Sequence, residues 1–476
     1  MANNKVQLSD GTVLLDLTGD TVTPETLMAG VTAHDAAGNR IVGTVVGIKL
    51  TGIAITTPPT KTAYNAGETF DPAGMVVTAT YSNGAMLMNP SYTFSPAGAL
   101  TAGDTAITVS YTEGGVTKTA YQAISVVSVS IYGAFWDWAS NNGLTKGTRT
   151  DSAAAFADPE PAVNNGAGSS PFDNLMPWAG MVVEDDPTAG TLVKIPKFWY
   201  KWTRSGKSMK LQIADAAVDG FHTSPAHADR GDGKGERDYV YVGRYHCASG
   251  YKSTSGSSPI NNMTRAQART NIHNLGATYW QYDFAMYWTI RMLYLVEYGD
   301  WNSQKAIGYG CSPSGSLFNM GATDGMKYHT GTAATSRTTY GCTQYRYIEG
   351  LWDNVFDWCD GIYFSGEIVC CIKDPAQFSD TANGTMVGTR ATSSDYISEW
   401  TNPTASGFEY ALYPNAVHGT KNTYVCDYCE YGPSGIVLRV GAYYGQGQYY
   451  GAFCLYGNGG ASIARSDIGC RLQKLP

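Results

Sequence analysis

The stretch LRVGAYYGQGQYYGAFCLYGNGGASIARSDIGCRLQ, Leu438–Gln473, decides how this chain is read. Tyrosines occur here in two adjacent pairs, Tyr443-Tyr444 and Tyr449-Tyr450, set among glycines and followed by Tyr456. Glycines let a backbone run close to its neighbours and leave large side chains standing clear of it. Tyrosine offers a stiff, amphipathic contact surface with only two torsions to freeze on binding. Gln446, Gln448 and Asn458 add amide donors and acceptors. Read from chemistry alone, Tyr443, Tyr444, Gln446, Gln448, Tyr449, Tyr450 and Asn458 form a ligand-binding surface of paratope type.

The rest of the chain supplies the frame. At 476 residues it should divide into several domains. Charged residues are only 15% of it, while glycine (55) and tyrosine (33) are heavily used, a combination that suits short strands, many turns and a polar aromatic surface. From about 129 to 476 the pattern predicts one large α+β unit with two helices. Thr264–Asn274 is amphipathic and capped by Thr264. Ala285–Tyr298, AMYWTIRMLYLVEY, is apolar around most of its circumference and is expected to be buried. Residues 48–128 read as an all-β sandwich, because IAITTPP, GMVVTATYS, TAITVSYT and YQAISVVSV are short β-branched runs parted by Gly and Pro turns. Residues 1–47 read as a small α/β module. Thr23-Pro24-Glu25 starts a short helix, and Val31–Ala33 pairs with Arg40–Val45 across Ala37-Gly38. A unit this small buries too little to stand alone, so it is expected to associate with copies of itself or with another protein.

Several function classes are disfavoured. A net charge of −8 with scattered Lys and Arg builds no basic stripe for nucleic acid or for an anionic membrane. No apolar run reaches the roughly 18 residues of a membrane span. The start, MANNKVQLSDG, lacks a charged region followed by an apolar one, so no secretory signal is expected and export would be by lysis or within a particle. Ten cysteines are too sparse for a disulfide scaffold. Cys426 and Cys429 form one C-x-x-C with no suitable second pair, since adjacent Cys370 and Cys371 fit tetrahedral ligation poorly. The cysteines are therefore read as buried thiols, with no metal and no cofactor. Gly310-Cys311-Ser312-Pro313-Ser314 lacks the closing glycine of a nucleophile elbow. His222 and His227 make no zinc pair, while carboxylate pairs such as Asp357 and Asp360, beside Trp352 and Trp358, have glycosidase character. Arg230-Gly231-Asp232 spells an integrin tripeptide by chance, and Asp229, Asp232 and Glu236 lack the spacing of a calcium loop.

Resemblances sharpen this reading. KTAYNAGETFDPAGMVVTATYSNG, Lys61–Gly84, resembles bacterial immunoglobulin-like domains of phage and surface proteins, which implies a spacer or a glycan-adhering module. GVTAHDAAGNRIVGTV, Gly30–Val45, is similar to short repeats at the N-termini of phage tail proteins. IPKFWYKW (Ile195–Trp202), DGFHTSPAH (Asp219–His227), YVYVGRY (Tyr239–Tyr245) and LVEYGDWNSQ (Leu295–Gln304) resemble tail proteins of phages that infect gut bacteria. IEGLWDNVFDWCDGI, Ile348–Ile362, resembles the G-N-V-W-E-W region of the formylglycine-generating-enzyme branch of the C-type lectin fold. Leu438–Gln473 looks like the variable region of a diversity-generating retroelement target protein.

These resemblances imply a fixed frame at Gly441, Gly447, Gly451, Ala452, Phe453, Leu455, Ala461, Ser462, Ile468, Gly469 and Arg471, with ten interleaved ligand-binding residues diversified: Tyr443, Tyr444, Gln446, Gln448, Tyr449, Tyr450, Tyr456, Asn458, Ile463 and Arg465. They imply that Asp353 and Asp357 hydrogen-bond loop amides. The fold's oxidase relatives use two thiols after an R-x-G motif; the matching positions here are Gly445 and Tyr450, so that nucleophile is missing, while Cys454 and Cys470 are expected in the core. The implied whole is a non-enzymatic host-attachment protein of a phage tail. Its partners would be a cell-surface protein or glycan receptor and other virion tail proteins, in a trimer, and the alternatives are a structural tail component or a glycan-degrading tail enzyme.

Overall fold

The computed structural model describes residues 3–311, 315–381, 384–446 and 450–476. Gly447, Gln448 and Tyr449 of the tyrosine block, and Ser312, Pro313 and Ser314, lie outside the described residues. The chain divides into two compact units, Met1–Ser128 and Val129–Pro476.

In the first unit, Leu50–Thr57, Val76–Tyr81 and Met86–Met88 form one three-stranded sheet, and Thr93–Ser95, Ala106–Glu113 and Val116–Ala123 form another. The hairpin from Ala106 to Ala123 turns at Gly114-Gly115, whose φ values of 57° and 77° are the left-handed pair that a two-residue turn requires. Tyr64, Phe70, Val77, Ile107 and Val109 fill the core of this module. Residues 3–47 contribute to none of the apolar clusters. They form two small hairpins, Lys5–Gln7 with Val13–Asp16 and Thr32–His34 with Arg40–Val42. The leader therefore departs from the expected α/β module. Its helix is one 3-10 turn, Pro24–Thr26. The residues that would continue a helix are drawn into extended pairing instead, with Val45 N donating to Leu27 O (3.0 Å) and Ala29 N to Val45 O (2.9 Å). One turn without further packing does not recover the cost of helix nucleation.

The second unit is strand-rich rather than evenly α+β. Helix α1, Arg265–His273, starts at Thr264, whose side chain accepts from Gln267 N. Helix α2, Phe284–Tyr298, starts at Asp283, which accepts from Met286 N, and stops at Gly299 in the left-handed region. All 15 residues of α2 are buried, which is why its sequence carries so weak a polar face. Around it lie two five-stranded sheets and a larger mixed sheet. One five-stranded sheet takes the chain's last strand, Leu472–Lys474, between Tyr239–Gly243 and Tyr279–Gln281. In the larger sheet the order runs Thr385–Thr389, Ile368–Cys371, Phe356–Ser365, Val437–Val440, Leu455–Gly459, Tyr428–Tyr431, Asp395–Trp400 and Pro414–Val417. Ile468–Gly469 pairs alongside Phe356-Asp357. Among the described residues no helix is long and apolar enough to cross a membrane.

Candidate ligand-binding face

The middle of the larger sheet carries the face. Along Leu455–Gly459 burial alternates: Leu455, Gly457 and Gly459 point inward, while Tyr456 and Asn458 are half-exposed. The neighbouring strand Tyr428–Tyr431 runs parallel to it and pairs Glu430 with Tyr456. Tyr428 and Glu430 therefore stand on the same side as Tyr456. The Tyr456 hydroxyl donates to Glu430 Oε1 at 3.2 Å and accepts from Gln446 Nε2 at 3.0 Å. On the other flank, strand Val437–Val440 brings Arg439 opposite Tyr456. The Arg439 guanidinium lies 5.1 Å from the Tyr456 ring, 5.6 Å from Phe356 and 5.8 Å from Trp358, and it donates to Asn458 Oδ1 at 2.6 Å.

Ring contacts join these residues into a ribbon. Centroids are separated by 5.4 Å for Tyr396–Tyr428, 6.1 Å for Tyr428–Tyr450 and 6.1 Å for Tyr450–Tyr456. The ribbon continues with 4.6 Å for Tyr456–Phe356, 5.3 Å for Phe356–Tyr443 and 5.5 Å for Tyr443–Tyr444. Its tyrosines are half-exposed. Partial burial raises the phenol pKa of Tyr450 and Tyr456, and nearby Cys454 and Glu430 push the same way, so both hydroxyls remain donors at any physiological pH. Tyr444 reaches the Ser466 hydroxyl at 3.4 Å, which ties the ribbon to the segment that holds Ile463 and Arg465.

Beneath the ribbon the backbone is fixed by buried polar groups. Asp427 accepts from Gly451 N (2.7 Å) and Phe453 N (2.8 Å), and Ser303 Oγ accepts from Ala452 N (2.9 Å). Arg291, inside α2, donates to Ala452 O at 3.0 Å. A Cβ on Gly451 would lie 2.5 Å from Ser303 Oγ and 2.8 Å from Asp427 Oδ1, so only glycine fits there. Arg471 is fully buried and donates to Asp357 and to the carbonyls of Gly243, Arg244, Glu349 and Gly350. The tyrosines thus stand on a backbone held by buried polar groups.

Of the ten residues singled out from sequence, Tyr443, Tyr444, Tyr450, Tyr456, Asn458 and Ile463 are half-exposed and Arg465 is exposed. Gln446 differs from expectation: it is 9% exposed, because its amide turns under the face to reach Tyr456. Ile463 packs partly against the cluster around Trp358, and Arg465 pairs with Asp467 at 2.9 Å. Among the expected frame residues, Gly441, Gly451, Ala452, Phe453, Leu455, Ile468, Gly469 and Arg471 are buried, whereas Ser462 is exposed in a turn and Ala461 is half-buried. Sequence reasoning missed Tyr396, Tyr428, Glu430, Arg439 and Phe356. The alternation in YVCDYCEYG (Tyr424–Gly432) was a usable signal for Tyr428 and Glu430; no local signal marks Arg439 as the cation under the rings.

Several other residues singled out from sequence are buried in ion pairs. Asp357 and Asp360 are both buried. Asp357 pairs with His246 (2.9 Å) and Arg471 (3.1 Å), and Asp360 with Arg269 (2.5 Å). Asp357 therefore pairs with the side chains of Arg471 and His246 rather than with the expected loop amides, while Asp353 accepts from Thr343 N at 3.0 Å. Arg230 of the R-G-D tripeptide is buried against Asp283 at 2.7 Å. Asp232 pairs with Arg237. Cys311 and Cys342 are joined as a disulfide, which corrects the reading of all ten cysteines as free thiols; the other eight are free and buried. Near the ribbon a cavity of about 380 Å³ is lined by Lys305, Arg337 and Lys421 with no carboxylate, and Gln304 in its wall donates to Tyr450 O at 3.3 Å.

Residues 57–121 match the family model described as a bacterial Ig-like domain (group 3). No match to a curated protein is found.

Proposed function

We propose that this chain is a phage-tail receptor-binding protein whose C-terminal unit displays a retroelement-diversified face on a lectin-like frame. The observation that carries the reading is the ribbon from Tyr396 to Tyr444: half-exposed tyrosine rings, joined through the buried ring of Phe356, on a backbone held by Asp427, Ser303, Arg291 and Arg471. Such a surface binds by burying aromatic area and making side-chain hydrogen bonds, with no reacting group required. The lectin-like part of the reading is supported by the two helices packed among sheets, and by the last strand returning to pair inside one of them. The Ig-like domain serves as a spacer. The ligand is a protein or glycan on the surface of a host bacterium, and the protein acts in the virion after synthesis in the host cytoplasm. The cation-lined cavity beside Tyr450 favours a ligand that carries an acidic group.

Fluorescently labelled full chain, applied to a panel of gut bacteria, tests this. The reading expects saturable binding to some strains and a loss of about tenfold or more for each of Tyr443→Ser and Tyr456→Ser, since a central tyrosine contributes roughly 1–3 kcal/mol to an interface. Thermal unfolding of either variant should move little. Binding unchanged by both substitutions contradicts the reading. Degradation of host polysaccharide that survives both Tyr443→Ser and Tyr456→Ser would favour a tail enzyme instead.

The leader exposes Leu8, Leu14, Leu15, Met28, Val46 and Ile48 without a core of its own. This supports self-assembly, and a trimer is the arrangement that would raise avidity from weak single sites. Light scattering should return three times the chain mass for the full protein and one chain mass for the Leu14→Asp, Val46→Asp double variant. A monomeric parent protein contradicts the trimer.

A further inference from the structure

The cavity beside Tyr450 is set apart by its charge. Its volume of about 380 Å³ falls in the roughly 300–1,000 Å³ range of small-ligand sites, and Lys305, Arg337 and Lys421 line it without a carboxylate. Among the described residues none of these three cations pairs with an acidic side chain. Lysines elsewhere in the unit do so: Lys194 with Glu184, Lys197 with Asp238 and Lys207 with Glu399. The chain as a whole is acidic, at −8, so three unpaired cations in one cleft run against its overall balance.

Three separate segments bring one cation each. Lys305 belongs to the short helix Ser303–Ala306, whose start is fixed by Asn302 Oδ1 accepting from Lys305 N at 2.8 Å. Arg337 Nη1 donates to Ala306 O at 3.3 Å, at the other end of that helix. Lys421 sits in the turn Thr420–Thr423, closed by Thr420 N donating to Thr423 Oγ1 (2.9 Å) and Thr423 N to Thr420 O (3.1 Å). The backbone under each cation is thus held, while all three residues are exposed. An adjoining cavity of about 230 Å³ shares Lys305 and Arg337. Its carboxylates are engaged elsewhere. Asp158 pairs with Lys146 and Arg149, and Asp300 is buried and accepts from Asn302 N at 3.0 Å.

A cleft lined by one sign of charge focuses its potential and concentrates counter-charge. The remaining lining suits a sugar. Tyr309, 5.8 Å from Tyr340 between ring centroids, supplies an aromatic wall, and Asn302 and Asn422 supply side-chain amides that can serve hydroxyl groups. We propose that this cavity is a second recognition site, which takes the anionic group of a glycan: a sugar carboxylate or a sugar phosphodiester. The inference deepens the binding-protein reading and rests on it for the host surface as the source of the glycan. Gln304, in the cavity wall, donates to Tyr450 O at 3.3 Å, so one glycan chain can engage the cavity and the tyrosine ribbon together.

The test passes polygalacturonate, poly(glycerol phosphate) and neutral dextran over the immobilised full chain in biolayer interferometry. The proposal expects at least one anionic polymer to bind and dextran not to. Binding of polygalacturonate alone identifies the carboxylate, binding of poly(glycerol phosphate) alone the phosphodiester, and binding of both a site that reads charge. The Lys305→Gln, Lys421→Gln double variant should bind about tenfold or more weakly, with thermal unfolding unchanged. Raising salt from about 50 to about 300 mM should weaken the parent protein by a similar factor. Lys234→Gln, outside the cavity, should change nothing. Failure of both anionic polymers to bind, dextran binding as well as they do, or full binding by the double variant overturns the proposal. Cell binding that needs Tyr443 but not Lys305 and Lys421, with no polymer bound, removes the cavity site and leaves the ribbon reading standing. Polymer binding through these cations without tyrosine-dependent cell binding does the reverse.

Discussion

Replacing Arg471 by methionine lowers the stability of the Val129–Pro476 unit by about 3–5 kcal/mol, the range for removing one partner from a buried ion pair. Arg471 is fully buried, and its guanidinium reaches the Asp357 carboxylate at 3.1 Å and four carbonyl oxygens between 2.8 and 3.1 Å. Methionine fills similar volume but satisfies none of these acceptors, and it leaves Asp357 charged with only His246 as a partner. Denaturant unfolding should show a lower midpoint with an unchanged slope. Asp357→Asn in the same chain should recover part of the loss, because the orphaned charge is then gone. A loss under about 1 kcal/mol would mean that Arg471 does not tie the terminal block to the rest of the unit.

The second large effect is a change in how stability depends on pH. Burial pushes the Asp427 carboxyl up to about 7, against the opposing pull of the Phe453 and Gly451 amides. Because the folded value is raised, the stability linked to its protonation is fully present below the ordinary value of 3.8. It is lost as pH climbs through about 7. A displacement of that size corresponds to roughly 4 kcal/mol. His227 runs the other way: burial pulls it down to about 4, so its contribution is fully present above its ordinary value of 6.5 and is lost as pH falls through about 4. The decisive quantity is therefore a difference between variants. Asp427→Asn keeps a neutral group of the same shape, so relative to the parent it should gain roughly 2–4 kcal/mol between pH 5 and pH 8. An identical pH profile for the two chains would show that Asp427 is ionised throughout and that burial does not control it.

Much of the scaffold was legible because it obeys local rules. Thr264 and Asp283 cap their helices through the side chain, the all-round apolar run in α2 means burial, and Gly114-Gly115 marks a hairpin. The leader misled because a Pro-Glu start signals a helix only when enough residues follow to extend it, and here Leu27–Ala29 pair with Val45 instead. The candidate face was legible in the part contributed by one segment. Tyr443, Tyr444, Tyr450 and Tyr456 announce themselves by composition. Tyr396, Tyr428 and Phe356 join them only because strands distant in sequence are neighbours in the sheet, and strand order is a tertiary fact. Gln446 was misjudged for a related reason: an amide flanked by glycines reads as exposed, yet a tyrosine hydroxyl ten residues on draws it inward. The Cys311–Cys342 disulfide is likewise invisible in the spacing, because the two segments meet only where Gly310 pairs with Gly341.

The account rests on exchangeable side chains held by a backbone that does not change. Sequencing the coding end of this gene from many related isolates, together with the DNA beside it, measures that directly. The account predicts a neighbouring reverse transcriptase and a near-copy of the coding end that differs at adenines. It also predicts substitutions concentrated at Tyr443, Tyr444, Gln446, Gln448, Tyr449, Tyr450, Tyr456, Asn458, Ile463 and Arg465, with Gly451, Ala452, Phe453, Leu455 and Arg471 unchanged. Substitutions spread evenly over both sets, or tyrosines as constant as Arg471, would contradict it.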